Sequence, residues 1–163
     1  TDETPKPDAT TGNQAAQGEH PPLVINGQYI KDLSFEAPHT PGIFSELDKA
    51  PSVDVNVDVQ ARRLRDNIFE VLLVFNVESK LDTKTAFLAE LTYAGVVTLH
   101  VPDEHVEPML LIETPRLLFP FARAILGDVT RDSGFPPLMV APIDFVQLYR
   151  QRQQGGTGTA ETH

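Results

Sequence analysis

The chain contains no cysteine. A disulfide framework, a thiol nucleophile and a thiolate metal site are therefore excluded. Positive charge is scarce: 13 Lys and Arg stand against 23 Asp and Glu, a formal net charge of -10. That balance argues against a nucleic-acid surface and against direct binding to, or insertion into, an anionic membrane. It leaves room for a basic protein partner, or for acidity that only keeps the protein in solution. No apolar run reaches the length that spans a bilayer. The first residues, Thr1-Asp2-Glu3-Thr4-Pro5, hold no apolar signal core. If the chain begins near its natural start, a cytoplasmic location is expected. No Gly-x-Ser-x-Gly elbow is present, and no lysine follows the Gly-Thr repeats at 155–159 as a phosphate loop requires. With so little of a catalytic constellation in place, neither an enzyme activity nor a cofactor is expected.

What is present divides into tails and a body. At 163 residues, one domain with a real core is expected. Residues 1–22 and 155–163 lack bulky apolar side chains and read as disordered tails. The body, 23–154, opens with period-two patterning. Leu23, Ile25, Tyr29, Leu33 and Phe35 are expected on one face of a long first strand, with a bulge or bend at Gly27. Pro38 to Pro51 reads as a loop. Val53, Val55, Val57 and Val59 alternate with Asp54, Asn56, Asp58 and Gln60 in a second strand. Residues 61–67 should turn the chain. Ile68 to Glu78 reads as a central strand, and Thr85 to about Tyr93 as a fourth, joined by a polar turn. Short connections favour antiparallel neighbours.

The period then changes. Asp103 can cap a long helix that is apolar around much of its circumference, kinked or divided at Pro115 and Pro120 and stopped at Gly134. Such a helix should be buried on more than one side. Asp144 can cap a last helix whose Phe145, Leu148 and Tyr149 form a stripe. Strands followed by helices give an α+β domain, an antiparallel four-stranded sheet with a long kinked helix and a C-terminal helix.

Few clusters suggest chemistry. Asp54, Asn56 and Asp58 start like a calcium loop, but Val59 stands where that loop needs Gly and Arg65 where it needs Glu. His100, Glu104, His105 and Glu107 are the one local group of metal-capable side chains. Their spacing misses the zincin patterns, and Pro102 should break the chain between the histidines. No metal site is expected. Arg62, Arg63 and Arg65 read as the end of a solvated hairpin, or as a contact for an anion or client. Asp32 and Glu36 share one side of their strand, and Leu88 and Glu90 share a side of theirs. If both sides are exposed, the result is a flat acidic patch holding one leucine. The alternative is an ordinary solvated sheet face.

Four segments, in order, carry a resemblance. They are Lys31-Asp32-Leu33-Ser34-Phe35-Glu36-Ala37-Pro38, Thr85-Ala86-Phe87-Leu88-Ala89-Glu90, Leu118-Phe119-Pro120-Phe121-Ala122-Arg123 and Ala141-Pro142-Ile143-Asp144-Phe145. Together they resemble the SecB family of protein-export chaperones, from about Ile25 to Gln154. The match is loose over 95–114, and the C-terminal tail is less acidic than the family pattern.

The resemblance implies a homotetramer, a dimer of dimers stacked through the long helices. It implies ATP-independent holding of unfolded secretory precursor proteins in apolar grooves, and delivery to the SecA motor of the Sec translocase. It implies SecA binding at Asp32, Glu36, Leu88 and Glu90, through a short, basic, zinc-bearing tail of the motor. Val53, Val55, Val57 and Tyr149 match groove positions, although alternating valines also suit a plain core strand. Ala89, Leu91 and Tyr93 match positions near the dimer–dimer contact. The alternative is an acidic oligomeric scaffold that binds a basic partner and holds no client.

Overall fold

A computed structural model describes residues 20–155. The tails expected over 1–22 and 155–163 lie outside the described residues, apart from His20, Pro21, Pro22 and Gly155. Four strands come first: β1 (Leu23–Glu36), β2 (Ser52–Arg65), β3 (Ile68–Leu81) and β4 (Lys84–Leu99). They form one antiparallel sheet in the order β1-β4-β3-β2. The helical half follows as α1 (Asp103–Pro108), a wider π-type turn over Met109–Glu113, α2 (Thr114–Asp132) and α3 (Phe145–Gly155). The expected α+β architecture is thus present.

Several bounds differ from the sequence reading. Ala61 to Arg65 continues β2, and the chain turns in two residues, Asp66 and Asn67. Asp66 and Asp82 both take positive φ, 41° and 55°, which a short polar side chain tolerates in a tight hairpin. β4 runs six residues beyond Tyr93, to Leu99, because Val71, Phe69 and their neighbours in β3 offer it a full-length partner. The three arginines therefore lie in or at the end of a strand rather than in a turn. The long helix divides ahead of Pro115. Proline has no N–H for the Leu111 carbonyl, so the turn widens, and both the Thr114 N–H and its hydroxyl reach back to the Met109 carbonyl. Pro120 sits inside α2 without breaking it. Gly134, with φ of 89°, ends α2: its N–H bonds to the Arg131 carbonyl and that of Phe135 to Thr130. Asp144 caps α3 as expected, its carboxylate accepting from the Gln147 N–H at 3.0 Å.

The first strand holds the largest difference. It carries two bulges, at Asn26 and Lys31. Each adds one residue, so each exchanges the faces. The first sends Tyr29 to the opposite side from Leu23 and Ile25, where it pairs with Ala94. The second restores the phase, so Leu33 and Phe35 face the same side as Ile25.

Among the described residues the sheet is covered on one side only. Phe69, Val71, Leu73, Phe75 and Val77 of β3 and Phe87, Ala89, Leu91, Tyr93 and Val97 of β4 are buried on that side, with Leu118, Ala122 and Leu126 of α2. Each large side chain so buried contributes about 1.5–3 kcal/mol. Gly95 lets the helix approach: a Cβ there would lie 3.0 Å from a Leu118 methyl. The 38–51 loop also contributes, since its short helical turn at Gly42–Glu46 buries Ile43.

Candidate functional site

The uncovered face comes from the even-numbered residues of β3 and β4. Register places Asp54 of β2 beside Glu78 of β3, Asn56 beside Asn76, Asn76 beside Glu90 of β4, and Leu88 beside Glu36 of β1. These residues, with Ser34, line a shallow hollow of about 480 Å³. Glu36, Leu88 and Glu90 therefore meet as the sequence reading expected. Asp32 lies on the same face, opposite Thr92, just beyond the hollow. Asp54 and Glu78 extend the patch across the sheet. Alternation had already put Asp54 opposite the valines; what single-strand reasoning lacked was the strand order. Glu78 has Lys80 at 3.5 Å, but no ion pair forms to Asp32, Glu36, Asp54 or Glu90 among the described residues. Leu88 is 37% exposed amid this charge.

The upper half of the same face carries a different arrangement. Glu70 of β3 is 4% exposed although it points away from the helices. Its carboxylate accepts a bond from the Tyr29 hydroxyl, one from Lys31 Nζ at 2.9 Å and one from Arg62 Nε at 2.7 Å. One side chain thereby ties β3 to both edge strands. The Tyr29 hydroxyl, followed by Lys31 and Arg62, outweighs the burial that opposes ionisation and holds Glu70 down at about 2. Burial and the bond to Glu70 push Tyr29 up to about 12. Arg62 is thus engaged by Glu70 within the chain while most of its side chain stays accessible, and Arg63 lies over the Phe69 ring at 5.1 Å.

On the helix side, β2 lies beyond the cover of α2. Val53, Val55 and Val57 line one groove of about 380 Å³ with Leu138, Met139, Val140 and Ile143 from the segment joining α2 to α3. Val53 also borders a second hollow of about 400 Å³, with Phe87, Phe135 and Leu138. Tyr149 lies in a third, of about 460 Å³, beside Val59, Leu111 and Leu148. The three hollows follow the β2 edge, so Tyr149 is brought to the same edge as the valines but not into the same hollow. Two anchors hold the walls. The Thr130 hydroxyl accepts from the Leu138 N–H at 2.8 Å, and Arg152 donates to the Val59 carbonyl.

Ala89, Leu91 and Tyr93 are 1%, 0% and 7% exposed within the single chain. Buried within the single chain, they offer little surface of their own to another protomer, and any part in a dimer–dimer contact falls to them as near neighbours. The surface left for a partner belongs to their neighbours. Tyr93 stacks on Phe121 at 6.4 Å and pairs with Ile30, and Phe121 and Ile30 are 51% and 48% exposed. Leu117, one turn before Phe121, and Leu33 widen this apolar area.

The metal-capable group is parted. His100 stacks on His20 and lies 3.3 Å from the Asn67 amide, while Glu107 of α1 accepts from Gln153 of α3. Among the described residues no helix is long and apolar enough to cross a membrane.

Comparisons with known proteins point to one family. The family described as "Preprotein translocase subunit SecB" matches residues 16–155. The chain is 57% identical over 139 residues to the protein-export protein SecB of Rhodospirillum rubrum, covering 85% of this chain and 87% of that one. It is 52% identical over 168 residues to the protein-export protein SecB of Granulibacter bethesdensis, covering 94% and 98%. In fold it is similar to a SecB-like chaperone of Mycobacterium tuberculosis, solved in complex with a ChAD peptide from the HigA1 antitoxin. That likeness has a TM-score of 0.63 at 14% identity, covering 74% of this chain and 90% of that one.

The Glu70 cluster makes a pH prediction. Its folded value of about 2 lies below the ordinary 4.5, so its stabilisation is complete above 4.5 and is lost as pH falls toward 2. Glu70→Gln should flatten the fall in denaturation midpoint across that window. A variant whose acid dependence parallels the wild type would show that the carboxylate is not held this way.

Proposed function

The chain belongs to the SecB family, and from that premise we propose that it is an ATP-independent chaperone that holds unfolded precursor proteins and passes them to the SecA motor for export. The observation that carries this reading is the line of apolar hollows along β2. An unfolded chain exposes apolar segments that a native protein has buried. Covering them gains roughly 25 cal/mol per Å² of apolar surface, with little demand on sequence. Val53, Val55 and Val57 form the wall of one such site and Tyr149 that of the next. Weak contacts at several sites add through effective concentration, so holding needs no nucleotide. Release comes from the motor that takes over the client. The proposed partners are thus unfolded secretory precursors and SecA, met in the cytoplasm.

The proposed SecA surface is the open face, at Asp32, Glu36, Leu88 and Glu90. Its support is the convergence of unpaired carboxylates around one exposed leucine, which suits a short basic segment. Client and motor would then use opposite sides of one sheet.

The proposed assembly is a homotetramer. Ile30, Leu33, Leu117 and Phe121 leave a contiguous apolar surface on the helix side, and a second copy of the chain would cover it. Native mass spectrometry should give the tetramer mass; a lone protomer at micromolar concentration would overturn the assembly.

Holding is tested without nucleotide. Stoichiometric protein should slow aggregation of a denatured secretory precursor. If aggregation proceeds at its uncatalysed rate, the protein is a scaffold rather than a holder of clients.

Docking is tested by charge reversal. Asp32→Lys with Glu90→Lys should abolish SecA binding and leave holding intact, because both side chains point away from Leu33, Leu91 and Ala89. Wild-type docking should also weaken with salt, which screens exposed charges beyond ~8 Å. Undiminished SecA binding by the double variant would reduce the face to a solvated surface.

A further inference from the structure

The open face carries both signs of charge, and Glu70 governs how they are arranged. Lys31 precedes Asp32 in β1, and the bulge at Lys31 turns it onto the same face. Arg62 stands on that face of β2, four residues beyond Asp58. Both cations are well exposed, with 40% and 63% of their side chains accessible, while the Glu70 side chain is 5% accessible. A free lysine at this point would reach the neighbouring carboxylate of Asp32. Instead it makes two bonds to Glu70, at 2.9 and 3.1 Å. The Tyr29 hydroxyl adds a third donor from the same strand. The buried carboxylate thus draws the cations toward the upper half of the sheet, away from the hollow at Glu36, Asp54 and Glu90.

We infer that Glu70 is a positioning residue for the acidic docking face: by binding Lys31 and Arg62 it keeps Asp32 and its neighbours unpaired and available to a basic partner. The inference rests on the docking reading above and adds to it a determinant that never touches the partner. Without Glu70, one negative charge is lost and two cations are released beside the patch. Lys31 then pairs with Asp32, and Arg62 repels the approaching basic segment. The cost of Glu70 removal is therefore electrostatic and is reversed by removing the cations as well. A role confined to holding β1 in place has no such reversal, since the clamp stays broken.

The test uses the full chain, with purified SecA as the probe and titration calorimetry as the readout. Glu70→Gln should weaken SecA binding by about fivefold to tenfold, a little less than a direct charge pair at an interface gives, because Glu70 acts through its neighbours. The triple variant Lys31→Gln, Arg62→Gln, Glu70→Gln should bind within about twofold of wild type. Precursor holding, on the other side of the sheet, serves as the control for assembly. Unchanged SecA binding by Glu70→Gln, where Asp32→Lys with Glu90→Lys abolishes it, overturns the inference and leaves the docking reading standing. Loss in Glu70→Gln that the triple variant fails to restore also overturns it, because Glu70 then acts through the fold of β1. If wild-type protein does not bind SecA, both readings fall together. Should Glu70→Gln alone fail to fold, the triple variant decides: binding near wild type supports the inference, and lost binding ends it.

Discussion

The close packing of α2 on β4 decides which side of the sheet is dry. Leu118 descends onto Gly95, where no side chain intervenes, and Ala122 and Leu126 continue the contact along the helix. Because side chains alternate across a strand, covering one face fixes the role of every residue on the other. Leu91 becomes core and Glu90 becomes surface by the same event. The register of β3 against β4 passes that division inward, and β1 and β2 inherit it at the edges. A helix as long as α2 covers the middle of the sheet but leaves the β2 edge to the 135–144 segment and α3. Val53, Val55 and Val57 of β2 are therefore only partly covered, while Val59 is buried. The grooves follow from the ratio of helix surface to sheet surface, rather than from any unusual residue in β2.

Much of this was legible in the sequence because period is a strong signal. The valine strand, the switch from period two to helical period, the Gly134 stop and the Asp144 cap all stand as read. The misreadings have physical causes. Tyr29 looks like a core residue by parity, and parity fails once a bulge intervenes. Gly27 hinted at the first bulge, but Lys31 carries no such mark. β4 runs on past Tyr93 although Gly95 depresses strand propensity, because a full-length partner in β3 overrides that preference. Pro115 signalled a break in the helix without revealing that the break would take the form of a widened turn.

The candidate site divides in the same way. Glu36, Leu88 and Glu90 could be placed together once two strands were assumed adjacent. Asp54 and Glu78 could not, since their arrival depends on the order β1-β4-β3-β2. Ala89, Leu91 and Tyr93 were linked with assembly by resemblance, yet a single chain already buries them. Sequence similarity preserves a residue whether it touches a partner or supports one that does, and only packing distinguishes the two. Here Tyr93 supports Phe121, which has the surface to give.

Glu70 shows why an acidic face can contain cations and still serve a basic partner. A buried carboxylate is costly to isolate, because removing its donors leaves charge without compensation. That cost fixes the positions of Lys31 and Arg62 more firmly than an exposed pair would, since exposed pairs contribute little and exchange readily. The bulge at Lys31 then has two consequences. It delivers the lysine to Glu70, and it resets the strand so that Asp32, Ser34 and Glu36 share the open face while Leu33 and Phe35 turn inward. Deleting the extra residue would exchange those sets and turn the carboxylates of β1 to the covered side of the sheet. The placement of the acidic face and the burial of the core are therefore one constraint, set where β1 bulges at Lys31.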